Sequence, residues 1–277
     1  MLDSLPTHDW DFPVEMQPVF DQYGNEIHGA QAVVRTDTEQ ALKVHGSKYE
    51  LVRHDDVVNS VMDGIQQADI SNDYDMKVST IEGGRRLRME VMFNNLVAEP
   101  AVGDYVKFRI NALNSYDASW PFLQEGDAYR LWCLNGCTTP KGVARYSYKH
   151  TANINVAGIA ARIEKAVEFF LTRQDEWKSW MNVMIDDQFV NHFFSKTLAW
   201  AKPASNGMNK VNERQMANLT DLWTKNKQQL GSNKWALYNT MTEWSTHVVS
   251  DTPLVTQRSR ETQVQNALVS QQWKLLP

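Results

Sequence analysis

The sequence predicts an α+β protein: a small antiparallel sheet with a β-hairpin and one helix, followed by a C-terminal helical half. Two runs of alternating character, DYDMKVSTIE and RRLRMEVMF, flank Gly83-Gly84. Val57, Val58, Val61, Met62 and Ile65 recur at helical spacing just upstream. From about Ile154 onward the apolar pattern is helical. Strands grouped before helices indicate α+β rather than a doubly wound parallel sheet.

The first 30 or so residues hold Pro6, Pro13, Pro18, Gly24 and Gly29 without a sustained period, and read as an extended arm or edge segment. AVVRTDTEQALKVHGSKYELV reads as short strands around polar turns, with Val33, Val34, Val44, Tyr49 and Val52 inward. Asp55 is placed to cap a helix reaching Ala68. Gly83 and Gly84 both tolerate positive φ, which suits a tight hairpin, with Met76, Val78 and Thr80 on one face and Leu87, Met89 and Val91 alternating against Arg86, Arg88 and Glu90. Residues 104–113 form a third strand, with Lys107 and Arg109 opposite Val106, Phe108 and Ile110. Residues 127–134 fit strand or helix, and 141–150 a polar loop or edge strand. Helices follow over INVAGIAARIEKAVEFFLTRQDEWKSWMNVM, from Asp186 or Asp187 to Trp200, from a capping Asn212 to Gly231, and over two further segments, with KPASNG at 202–207 as a linker. The expected organisation is an arm over 1–30, a mixed domain over 31–150 and a helical region over 151–277.

Net charge is −5, unevenly spread: residues 1–76 carry −11, while 77–149 and 150–277 carry +3 each. That balance argues against a generic polyanion binder and allows a local basic groove. No apolar run approaches the roughly 18 residues of a membrane span. The acidic opening MLDSLPTHDWDF lacks the basic, apolar pattern of a signal peptide, so the expected location is the host-cell cytoplasm and no membrane partner is expected. Cys133 and Cys137 have no second pair or close His partner and read as buried thiols rather than zinc ligands.

Arg85, Arg86 and Arg88 at the hairpin, with Lys107, Arg109, Lys141, Arg145 and Lys149, form the candidate basic surface, and Tyr146 and Tyr148 interleave with it. Cations that track phosphates beside rings that stack on bases are what single-strand binding requires. The alternative is a solvated hairpin tip and an ordinary edge strand. Asn135-Gly136 reads as a structural turn, and Asn114 and Asp117 as closing a turn through side-chain hydrogen bonds. His54, Asp55, Asp56, Asp69, Asp73 and Asp75 invite a metal-nuclease reading, but the acids crowd one cap and one loop without a ligand pattern. No phosphate-binding loop or dinucleotide fingerprint is present, so ATP or NAD dependence is not expected; nor is any cofactor, metal or catalytic residue. Trp177, Trp180, Trp235 and Trp244 sit at helical spacing and read as core or helix packing, with oligomer contacts as the other use.

Several stretches resemble a phage/plasmid-like protein family of unknown function. They are Arg35 to Val52, the NSYD of Asn114 to Asp117 with Ala118 where glycine is usual, RLWCLNGC at Arg130 to Cys137, KHT at Lys149 to Thr151, and NKWALYNTMTEWSTH at Asn233 to His247. The resemblance spans roughly residues 30–270 and implies a mobile-element setting without an activity. The order helix, hairpin, third strand, helix is also similar to the core of phage single-strand annealing proteins. The resulting expectation is a non-enzymatic protein that binds single-stranded DNA and promotes annealing in recombination or replication, as a homo-oligomer. The alternatives are an interaction protein that blocks a host or phage protein partner through the acidic segment, and a metal-dependent nuclease.

Overall fold

The computed structural model describes residues 8–130, 135–137, 145–150, 159–201, 210–247 and 253–276. The opening elements form an antiparallel meander, β1 (Val14–Phe20), β2 (Glu26–Arg35) and β3 (Gln40–Gly46), in that spatial order. Of the stretch read as an arm or edge segment, residues 14–20 and 26–30 are strand, and β1 is an edge strand of the meander. Pro18 is accommodated because β1 is an edge strand, where a missing N–H costs no ladder bond on its open side. Phe12, Val14, Val33, Leu42 and Tyr116 make the core beneath this meander, and Met16, Tyr49 and Leu51 pack against it. Val44, expected inward, is 49% exposed.

Helix α1 (His54–Ala68) buries Val57, Val58, Val61 and Ile65 on one face. It begins one residue before the expected cap. Arg53 is the N-cap without a side-chain bond, and Asp55 and Asp56 lie in the first turn, where their charge suits the helix N-terminus. Strands β4 (Tyr74–Ile81) and β5 (Arg86–Ala101) form the hairpin, then come β6 (Asp104–Ser115), β7 (Phe122–Arg130), β8 (Asn135–Cys137) and β9 (Arg145–Tyr148). The larger sheet has the order β4-β5-β6-β7-β8, with β9 also pairing β7. Leu87, Met89, Val91 and Phe93 alternate on the buried face of β5. Met76, on the same sheet face, is 48% exposed because it lies on the edge strand. Asn135 and Gly136 pair with Arg130 and Tyr129, so the Asn-Gly step is strand rather than turn. Cys133 lies outside the described residues.

The remaining elements are α2 (Ile159–Trp180), α3 (Asp187–Thr197), the short pair β10 (Trp200–Ala201) and β11 (Lys210–Val211), α4 (Glu213–Leu230), α5 (Lys234–Thr246), α6 (Pro253–Leu268) and α7 (Gln271–Lys274). Asp186, Asn212, Asn233 and Ser270 cap α3, α4, α5 and α7 by accepting from Phe189, Gln215, Ala236 and Trp273 N–H groups. Each such cap contributes about 1 kcal/mol. α3 stops at Thr197, short of Trp200, which starts β10. The 202–207 linker lies outside the described residues.

The chain clusters into two compact units that interleave along it. One comprises Met1–Asn95, Arg109–Gly126 and Ala144–Ala166, the other Leu96–Phe108, Asp127–Val143 and Val167–Pro277. The second is built around α5, buried along Lys234 to Ser245 and packed on α4, α6 and β8. A helix buried on all sides needs internal partners for its polar groups. Trp235 Nε1 donates to Asp104 at 2.8 Å, and the Glu243 carboxylate accepts from Lys225 at 2.5 Å and Asn226 at 2.8 Å. Trp177, Trp180, Trp235, Tyr238 and Trp273 share ring contacts, and Trp244 is fully buried. These tryptophans are core, as their spacing predicted, and so give no support to an oligomer interface. Among the described residues, no helix is long and apolar enough to cross a membrane.

Candidate nucleic-acid interface

The hairpin that carries three of the candidate arginines turns through Glu82–Arg85, a four-residue loop closed by the Ile81–Arg86 pair. Glu82, Gly83 and Gly84 all have positive φ, at 53°, 68° and 89°. Gly84 is required twice over, since a Cβ there would stand 2.6 Å from the Phe12 ring. Beyond the loop the arginines are engaged by carboxylates. Arg86 donates through Nε to Asp117 at 2.9 Å and pairs with Glu82 at 3.0 Å. Arg88 and Arg109, 3% and 1% exposed, pair with Glu90 at 3.3 and 2.7 Å. Burial alone would raise the Glu90 pKa, but the charges of Arg109, Arg88 and Lys77 outweigh it and hold the carboxyl below its ordinary value. Arg88 and Arg109 are therefore correctly placed on the polar face of their strands, yet that face is covered rather than solvated, and neither reaches a bound strand. Arg85 is half-buried, with its carbonyl accepting from Tyr116 N–H at 2.7 Å.

Asn114, Tyr116 and Asp117, from the NSYD stretch, organise the interior of this unit. His54 Nε2 donates to the Gly84 carbonyl at 2.9 Å, which leaves Nδ1 to accept from Asn114 Nδ2 at 3.0 Å. Asn114 also donates to the Val52 carbonyl at 2.8 Å. The His54 ring stacks on Tyr116 at 3.9 Å, and the Tyr116 hydroxyl accepts from the His54 N–H at 2.8 Å. Burial lowers the His54 pKa to about 3, the Gly84 bond opposing it and the His150 charge adding to it, so the imidazole is neutral near pH 7. Asp117 accepts from Ser119 N–H at 2.9 Å and closes the turn in which Ala118 has φ 56°. Asp117 thus closes a turn as expected, whereas Asn114 is structural in another way, bonding Val52 and His54 far along the chain rather than closing a turn.

A second group of basic and aromatic side chains, partly open to solvent except for His150, which is 3% exposed, lies elsewhere in the same unit. His45 stacks on Tyr49 at 3.7 Å and 5°, and Tyr49 on His150 at 5.4 Å. The Glu50 N–H donates to the His150 carbonyl at 2.8 Å, which ties the loop after β3 to the end of β9. His45 Nε2 donates to the Tyr116 carbonyl at 2.7 Å. Lys48 and Lys149, each next in sequence to a ring of the stack, are exposed, and His45 and Tyr49 are half-buried. Tyr148 is half-buried, its ring stacked on Phe122 at 6.4 Å, its hydroxyl accepting from Arg162 at 3.2 Å and the guanidinium 5.6 Å above the ring. Burial holds the His150 pKa below its ordinary value, with the His45 charge acting in the same direction.

Of the other candidates, Arg145 and Tyr146 lie on β9, paired with Glu125 and Gln124 of β7, and their side chains are outside the described residues. Lys141 lies outside them entirely, and Lys107, half-buried on β6, belongs to the second unit. The sequence gives no binding signal for His45, Lys48 or Arg162 and places Tyr49 inward. Two quoted stretches contained the signal, since YELV supplies Tyr49 and KHT supplies His150. A cleft of about 400 Å³, lined by His8, Asp9, Arg35, Thr80 and the hairpin loop, opens beside Gly84, where Arg35 is held by Asp37 at 2.7 Å. Among the described residues no three His, Cys, Asp or Glu side chains gather as a metal-holding group. Asp73 and Asp75 both accept from Asn94 Nδ2 instead.

A family model described as "Domain of unknown function (DUF932)" matches residues 41–273. No curated protein and no solved structure matches the chain.

Proposed function

Starting from the fact that the chain belongs to the DUF932 family, whose description names no activity, we propose from the site itself that it binds single-stranded nucleic acid. The observation that carries this reading is the strip in which exposed Lys48 and Lys149 flank the His45–Tyr49–His150 stack, with Tyr148 and Arg162 beside it. Exposed ammonium groups suit phosphates, and the flat, half-buried rings of His45, Tyr49 and Tyr148 suit bases of any sequence. The acidic meander next to the strip repels phosphate elsewhere on the unit and so confines a strand to it. The mobile-element setting implied by the sequence resemblance supports annealing in recombination or replication as the use of that binding. Arg88 and Arg109 have no part in it, and Arg86 has only its outer edge to offer.

The test is a titration of labelled single- and double-stranded oligonucleotides across a salt series. Lys48→Ala and Lys149→Ala are each expected to reduce the slope of log affinity against log salt by about 0.7 on a single strand. Tyr148→Ala is expected to weaken binding by roughly 1–3 kcal/mol with the slope unchanged, because stacking is not ionic. Absence of salt-sensitive binding by the parent sinks the reading.

A second reading, a protein partner, is favoured by one observation. The tip of the acidic β1–β2 hairpin exposes Phe20, Tyr23 and Ile27 at 54%, 79% and 44%. Loss of a captured host protein on Tyr23→Ala, with oligonucleotide binding absent throughout, is the outcome that selects it.

A further inference from the structure

Strand β4 is the open edge of the larger sheet. Among the described residues β5 is the only strand that pairs with it. Edge strands are normally blunted by proline, bulges, brevity or charged side chains, and of these β4 carries only the charges Asp75 and Lys77. β1 carries Pro18 and a register shift, whereas β4 pairs β5 over eight consecutive residues without shift, proline or glycine.

The phase of the ladder shows which backbone groups are free to pair. Asn94 N–H donates to the Asp73 carbonyl at 2.9 Å. Hydrogen-bonded and non-bonded pairs alternate in an antiparallel ladder, so Asp73, Asp75, Lys77 and Ser79 direct their backbone groups to β5. Tyr74, Met76, Val78 and Thr80 direct theirs outward. The side chains of these four share the sheet face of Phe93, Val91, Met89 and Leu87, all fully buried, and form its uncovered rim. Asp75, Met76 and Lys77 are exposed.

We propose that β4 pairs antiparallel with β4 of a second copy of this chain, about a two-fold axis at Met76. In that register Met76 exchanges both hydrogen bonds with its counterpart, and Tyr74 lies opposite Val78, so the apolar rim is continued across the axis. On the other face Asp75 of each copy stands opposite Lys77 of its mate. No neighbouring register does this. Centring on Lys77 or on Asp75 sets that residue against itself, and centring on Val78 sets Asp75 against Ile81. Opposite charges directly across a ladder stabilise it and like charges destabilise it, so Asp-Met-Lys selects its own reverse and rejects the alternatives. The pairing stands on the edge alone and is independent of nucleic-acid binding.

The test uses the full chain without nucleic acid. Light scattering at tens of micromolar should give twice the chain mass. Asp75→Lys and Lys77→Asp should each weaken dimerisation about tenfold or more, because two pairs per dimer become repulsive. An equimolar mixture should restore a one-to-one dimer, since each lysine then meets an aspartate. Met76→Pro, which removes an outward N–H and leaves the β5 ladder intact, should give a monomer with parental circular dichroism. Amide exchange on the parent covers the case of a variant that does not fold: Tyr74, Met76 and Val78 amides should be protected at high concentration and exchange rapidly on dilution. A monomeric parent, exchange at these amides that ignores concentration, or two monomeric folded variants that fail to associate when mixed would each overturn the pairing and leave β4 to a foreign strand.

Discussion

At the scale of single residues, the arginines illustrate what alternation can and cannot say. The period of two places Arg86, Arg88 and Glu90 on one face of β5, and the structure agrees. Whether that face meets water or a counter-charge depends on β6, which brings Arg109 to the same carboxylate. Glu90→Gln should cost about 3–5 kcal/mol, because it removes the charge of the carboxylate that two buried guanidinium groups share. Chemical denaturation of parent and variant measures this. The carboxyl is depressed in the folded state, so its stabilisation is present in full above the unfolded-state pKa and is lost as pH falls through the lower folded one. Acid unfolding of the parent should steepen there, and the Gln variant should lack that component. Two backbone positions give opposite signs. Ala118, at φ 56°, sits where the resemblance has glycine, so Ala118→Gly should stabilise by about 1 kcal/mol. Gly84→Ala drives a methyl into Phe12 at positive φ and should cost at least about 2 kcal/mol in the same denaturation experiment.

At the scale of elements, α1, the hairpin and the helices from α2 on were legible from their apolar periods, and α3 and α4 also from their capping Asp186 and Asn212. Asn212 and Gly231 bound α4 as read. β1 and the first half of β2 were not legible, since Pro13, Pro18, Gly24 and Gly29 interrupt their pattern, whereas Ala32 to Arg35 and β3 were read as strand. Met76 and Val44 alternate like core residues and are half exposed, because alternation reports a face and not whether anything covers its rim. The candidate strip was half legible. Tyr148 and Lys149 were seen because they are adjacent in sequence, while Tyr49 and Arg162 reach them only through the fold. Asn233→Ala should cost about 1 kcal/mol, read as a lowered midpoint of tryptophan-fluorescence unfolding, because it removes the acceptor for the Ala236 N–H at the start of the most buried helix.

At the scale of the molecule, the two units are each assembled from three separated chain segments. A sequence scan divides the chain into contiguous stretches, because composition changes once near residue 150 and carries no record of strands that return to an earlier unit. Each unit therefore needs chain from both sides of that point. Fragments 1–150 and 151–277 are expected to lack cooperative unfolding when made separately, as measured by circular dichroism and thermal melting. Net charge is equally uninformative at this scale: −5 for the chain conceals exposed Lys48 and Lys149 beside an acidic sheet.

The position of Trp273 sets the timetable of synthesis. Its ring lies 5.3 Å from Trp180, 6.4 Å from Tyr238 and 6.1 Å from Phe193, and the Lys234 ammonium sits 5.3 Å above it. A ribosome exposes Trp180 and Phe193 some eighty to ninety residues before it delivers Trp273. At about 5–20 residues per second, that interval is several seconds or more during which this aromatic cluster lacks its final ring and presents apolar surface to the cell. The second unit therefore completes its core only once Trp273 has emerged, and holdase chaperones have their opportunity in that window.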